Sequence, residues 1–148
     1  MTPFQMGIVV DEAHGRSIQT GNYEKAIARL TQRSPSKLRT FSSQNNLCVA
    51  YVKTAELGKA AETCQAAVDD MKKLEARASK KSRRSLKHRA YRSDLAVALS
   101  NRGVLFAVSG ETARARADFQ AAMELGSRYA RFAADNLNKL DAVPDSGE

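Results

Sequence analysis

The chain has 148 residues, enough for one domain with a real apolar core, and its 43% hydrophobic and 27% charged content is that of a globular protein. No apolar run approaches the roughly 18–20 residues that cross a bilayer, and the opening MTPFQMGIVV lacks the basic flank and apolar length of a secretory signal. The net charge of +8 has one source: residues 72–92 hold ten Lys/Arg against Glu75 alone, while the remainder carries 14 basic and 15 acidic side chains.

With no Trp, three Pro and abundant Ala, Leu, Lys, Arg and Glu, the sequence favours helix. In chain order, a first unit at about 7–40 carries GNYEKAIARL at 21–30. A second unit at about 41–74 repeats it 34 residues on, with Lys25 on Lys59 and Ala26 on Ala60. A third unit at about 96–129 lies a further 55 residues along. Asn46 then falls on Asn101, Val49 on Val104, Glu56 on Glu111 and Ala60 on Ala115, while Tyr51 and Phe106 share an aromatic slot. Each unit reads as two helices. In the third, Leu99, Gly103 and Phe106 share one face, Gly110 breaks the helix, and Ala115, Phe119 and Ala122 line the second helix. An end helix follows at about 127–140, capped by Ser127, with a stripe of Tyr129, Phe132, Ala133, Leu137 and Leu140. Residues 142–148 read as a flexible tail.

The step of 55 leaves 21 residues inserted between the second and third units, as many as the basic segment 72–92 spans. Apolar spacing continues through Ala67, Met71, Leu74 and Ala78, and resumes at Leu86, Ala90 and Leu95. The expectation is two lengthened helices with SKKSRRS at their tip, an arm of about 15 Å at ~1.5 Å per residue. Its cations are Lys80, Lys81, Arg83, Arg84, Lys87, Arg89 and Arg92. Such an arm is a solvated hairpin, a nucleic-acid or polyanion contact working by counterion release, or a contact for an acidic protein or anionic surface. Only Tyr91 offers a ring for base stacking, and no nucleic-acid motif accompanies it.

Chemistry is harder to find. DEAH at Asp11–His14 spells a helicase signature, but the phosphate-cradling G-x-x-x-x-G-K-[ST] loop it needs is missing. His14 and His88, with Cys48 and Cys64 sixteen apart, have no metal-ligand spacing, so neither metal nor cofactor is expected. No serine stands in a pattern with a His and an acid. The expectation is a non-enzymatic protein.

A 34-residue helix–turn–helix unit with a small residue, an aromatic three on, a turn, then Ala, bulky and Ala resembles the tetratricopeptide repeat, of the kind found in small bacterial repeat proteins. The third unit fits well. The second fits with Cys48 in the small slot and Cys64 in the bulky one. The first departs, with His14 in the small slot, Ser17 in the aromatic one and Arg33 in the last Ala slot. The resemblance implies one all-α domain over residues 1–141, a right-handed helical solenoid of about three repeats plus a C-terminal end helix. It implies a scaffold that binds a peptide or partner helix in a concave groove. By position, Asn46 and Asn101 take the slot where Asn bonds a ligand's backbone, the alternative being that they serve the helix starts or bond the neighbouring repeat, and Asn45, Val49, Lys53, Ser100, Val104 and Val108 share that face. The resemblance also puts Cys48 and Cys64 on facing sides of one helix pair. They are then either two buried small hydrophobes or a disulfide, as an oxidising compartment permits. Exported bacterial members of the family are similar around NNLCVAY. This implies a periplasmic protein whose leader has been removed, the cytoplasm being the alternative.

Overall fold

The computed structural model describes residues 3–81 and 85–142. These form eight helices and, among the described residues, no strand. They are α1 (Gly15–Gln19), α2 (Tyr23–Thr31), α3 (Pro35–Leu38), α4 (Phe41–Lys53), α5 (Leu57–Lys81), α6 (Leu86–Val108), α7 (Thr112–Glu124) and α8 (Ala130–Ala142). From α4 to α8 each helix packs on the next. Beyond these sequential contacts α4 touches α6 and α6 touches α8, so these three share a layer with α5 and α7 behind it.

One chain reversal recurs three times. Gly21, Ala55 and Gly110 all adopt left-handed φ, at 86°, 59° and 81°. In each case the next residue's N–H reaches back to a carbonyl five residues earlier: Asn22 to Ser17, Glu56 to Tyr51 and Glu111 to Phe106, at 2.7–2.9 Å. The left-handed residue itself donates to the carbonyl three back: Ile18, Val52 and Ala107. This pair of bonds satisfies carbonyls that a helix end leaves open. Spacings of 34 and 55 separate the three turns.

The helix after each turn buries its side chains in register. Ala26, Ala60 and Ala115 are fully buried, as are Leu30, Cys64 and Phe119 four residues further on. The partner slots on the preceding helices differ. In α6 it is Gly103, where an added Cβ would lie 2.6 Å from Cε1 of Phe119. The Phe119 ring thus fills the space that glycine leaves. In α4 the slot is Cys48, joined to Cys64 of α5 with Cα atoms 4.7 Å apart. A covalent link in one helix pair stands where an aromatic ring on glycine stands in the other.

The basic insertion is helical on both sides of residues 82–84, where α5 runs on to Lys81 and α6 starts at Leu86 behind the Ser85 cap. Ser85 Oγ accepts the His88 N–H at 3.0 Å. Of the expected Leu86–Ala90–Leu95 spacing only Leu95 faces inward. Leu86 is 81% exposed, Ala90 is exposed, and His88 is buried instead. His88 Nε2 lies 2.9 Å from Glu75 Oε1 of α5, so a polar pair closes the base of the hairpin.

The greatest departure lies at the start. Where the first unit should begin with a helix, only the five-residue α1 forms. The residues before it are not helical.

Candidate functional site

Residues 3–10 run as a strap across the layer of α4, α6 and α8. Three buried asparagines, one from each helix, hold it. Asn136 of α8 accepts the Gln5 N–H at 2.9 Å and donates to the Gln5 carbonyl at 2.8 Å. Asn101 of α6 does the same to Gly7, at 2.8 and 2.9 Å. Asn46 of α4 does the same to Val9, at 2.9 and 3.0 Å.

The chemistry is set by the amide itself. A carboxamide has an acceptor and a donor side by side, and so matches the N–H and C=O that one extended residue presents on the same edge. Every second residue of an extended chain presents that edge, hence the step from Gln5 to Gly7 to Val9. Asn45 adds a second donor to the Gly7 carbonyl at 3.0 Å, and its own oxygen accepts from Asn101 at 2.9 Å. Ser100 Oγ accepts from Asn136 at 3.3 Å. No buried side-chain polar atom among the described residues lacks a partner. A network closed in this way sets register as well as holding the chain.

Side chains of the intervening residues supply the apolar part. Phe4 is buried and stacks on Phe119, with ring centroids 6.2 Å apart. Met6 and Ile8 pack on the cluster of Ile18, Ala26, Val49 and Ala50. At Gly7 the strap lies close on the helices: a Cβ there would lie 2.7 Å from Val97 Cγ1. Valine is stiff at χ1, so it yields little.

The strap ends in a tight turn. Ala13 and His14 are consecutive left-handed residues, φ 49° and 57°, a conformation that L side chains resist. Asn46 Nδ2 also reaches the Glu12 and Ala13 carbonyls, at 3.1 Å each, and Ser42 donates to Glu12 at 2.6 Å. Desolvation, then Arg33, Arg29 and Lys25, hold the His14 pKa below its ordinary value, so the neutral ring is favoured here. Burial, and then Glu12, push the Asp94 carboxyl upward, with Arg128 opposing.

Of the residues expected on this face, Asn45, Asn46, Ser100 and Asn101 meet at the strap. Val49 and Val104 are buried in the clusters against it. Lys53 and Val108 are exposed and outside the network. Asn136 was not among the expected residues, nor was the strap. The chain carried one signal, since Asn136–Leu137 repeats Asn46–Leu47, while residues 7–10 of the strap fall within the expected first helical unit.

The arm presents Lys80, Lys81, Lys87 and Arg89 to solvent. Arg92 is tied down, donating to the Leu125 carbonyl at 2.7 Å and lying 3.8 Å from Glu75. Arg83 and Arg84 lie outside the described residues. Among the described residues no cluster of His, Cys, Asp or Glu could hold a metal, and no helix is long and apolar enough to cross a membrane.

The chain matches no protein-family model, no curated protein and no solved structure.

Proposed function

We propose that the protein is a non-enzymatic interaction module of the tetratricopeptide type, a right-handed solenoid of about three repeats with an end helix. Its face of α4, α6 and α8 binds an extended peptide. One observation carries the reading: three buried asparagines grip every second residue of an extended segment by its backbone alone. Recognition of that kind takes its affinity from the backbone and its specificity from the side-chain space left at each position. The thrice-repeated turn at Gly21, Ala55 and Gly110 supports the repeat assignment.

The test uses the full chain with Gly7→Val, which drives the strap against Val97. A labelled peptide Pro-Phe-Gln-Met-Gly-Ile-Val-Val is titrated into it. Saturable binding that disappears on adding Asn101→Ala is the expected result. A folded Gly7→Val protein that ignores the peptide would end the reading.

A further inference from the structure

We propose that the strap is a resident, exchangeable ligand: a segment of another chain with an aromatic-x-apolar-Gly-apolar pattern takes the same seat when residues 3–10 swing out. This rests on the groove reading above and adds what the groove selects and how access to it is controlled.

The strap supplies the template for the selected sequence. Phe4 fills the place beside Phe119, Met6 and Ile8 cover the apolar cluster, and Gly7 stands where Val97 leaves no room for a Cβ. Gln5 is exposed and held only by its backbone, so that position accepts any residue that can extend. The central glycine is therefore the strictest demand on a competitor, and the aromatic position the next.

The strap also has the means to leave. It joins the helices through Ala13 and His14, both in left-handed conformations that L side chains resist and that persist only while their surroundings enforce them. What enforces them is Asn46, which bonds Val9 in the strap and Glu12 and Ala13 in the turn. Release of Val9 thus loosens the hinge, and relaxation of the hinge carries residues 3–10 away together. The helices keep their own packing, since α4 to α8 each contact the next without the strap. A competitor sees an affinity reduced by the small fraction of molecules that are open.

Two measurements on the full chain test this. Native-state hydrogen exchange of the wild type follows the Gly7 and Val9 amides against amides within α6. The strap amides should exchange at least roughly tenfold faster and with little denaturant dependence, by local opening. If they open only with α6, the strap is fixed core and the proposal falls, even if the Gly7→Val protein binds peptide. In the second measurement, the glycine peptide should bind Gly7→Val at least about tenfold more tightly than wild type. The same peptide with valine at its centre should lose about that factor again. Equal affinity for the two peptides overturns the assigned selectivity. Gly7→Ala combined with Val97→Ala should return both strap protection and weak peptide binding to wild-type levels. Should Gly7→Val fail to fold, the exchange data and the wild-type titration with both peptides still decide the matter.

Discussion

The Asn101 carboxamide bonds both the N–H and the carbonyl of Gly7, a residue 94 positions earlier in the chain. Truncating it to alanine leaves the Gly7 N–H without that acceptor, while Asn45 still serves the carbonyl. Asn101→Ala should therefore cost about 2 kcal/mol, the range for an orphaned buried polar group. Urea denaturation measures it. Lys53→Ala, exposed and outside the network, should stay within ~0.5 kcal/mol of wild type.

The two helix pairs offer an exchange of solutions. Reduction of the Cys48–Cys64 link, which closes a loop over a separation of 16 residues, should cost about 3 kcal/mol. Cys48→Gly with Cys64→Phe copies the Gly103–Phe119 contact and should recover most of that without a covalent bond. Cys64→Phe alone should be worse than either, because Cys48 then occupies the space the ring needs. Thermal denaturation of wild type, Cys48→Gly, Cys64→Phe and the double variant, with and without reductant, gives the coupling. Additive single effects would show the slots are not equivalent.

Ala55 holds the left-handed position that glycine holds at 21 and 110. Ala55→Gly should stabilise the protein by roughly 1 kcal/mol through relief of that strain. A loss of stability on equilibrium unfolding would mean the Ala55 methyl does more in packing than its exposure suggests.

Asp94 has a raised pKa, so its ionised form is the one that the fold disfavours, through burial first and Glu12 second. A carboxyl raised above its ordinary 3.8 destabilises the fold fully once pH exceeds the folded value, and the cost fades as pH falls toward 3.8. Asp94→Asn should raise stability at pH 7 and have little effect near pH 3. His14 acts in the other sense. Its lowered pKa gives a contribution present above 6.5 and lost as pH falls through the folded value. His14→Asn, which suits a left-handed site, should flatten the acid limb of a stability profile measured from pH 8 to 5.

At the arm, Lys80→Ser with Lys81→Ser removes two exposed charges and should change the unfolding free energy by no more than ~0.5 kcal/mol per site. His88→Ala opens a buried site and leaves Glu75 without its 2.9 Å partner, and should cost about 2 kcal/mol. Equal sensitivity of the two variants would mean that the tip is packed structure.

Much of the helical part was legible in the sequence because repeated burial leaves a repeated pattern. Ala26, Ala60 and Ala115 mark each crossing, and the apolar spacing past Met71 foretold that α5 runs on. The inward face of α6 was misread because burial there is polar. His88 turns in to meet Glu75, so Leu86 and Ala90 face outward, and an apolar period cannot see a His–Glu pair. The strap escaped for a different reason. A segment gripped chiefly by its backbone leaves little periodic side-chain pattern, and MGIVV is too short to tell a strand from a helix end. Asn136 was hidden inside an apolar stripe, where its neighbours Ala133, Leu137 and Leu140 suggested only packing.

The asparagine ladder ties the two ends of the sequence together, Gln5 to Asn136 across 131 residues. A ribosome adding roughly 5–20 residues per second makes Asn136 some 7–26 s after Gln5. For that interval Phe4, Met6, Ile8, Val9 and Val10 have no complete seat, and such an apolar run invites aggregation or capture by a chaperone. The strap is thus made well before its last partner, and the least time it spends without that partner is set by translation rather than by the speed of folding.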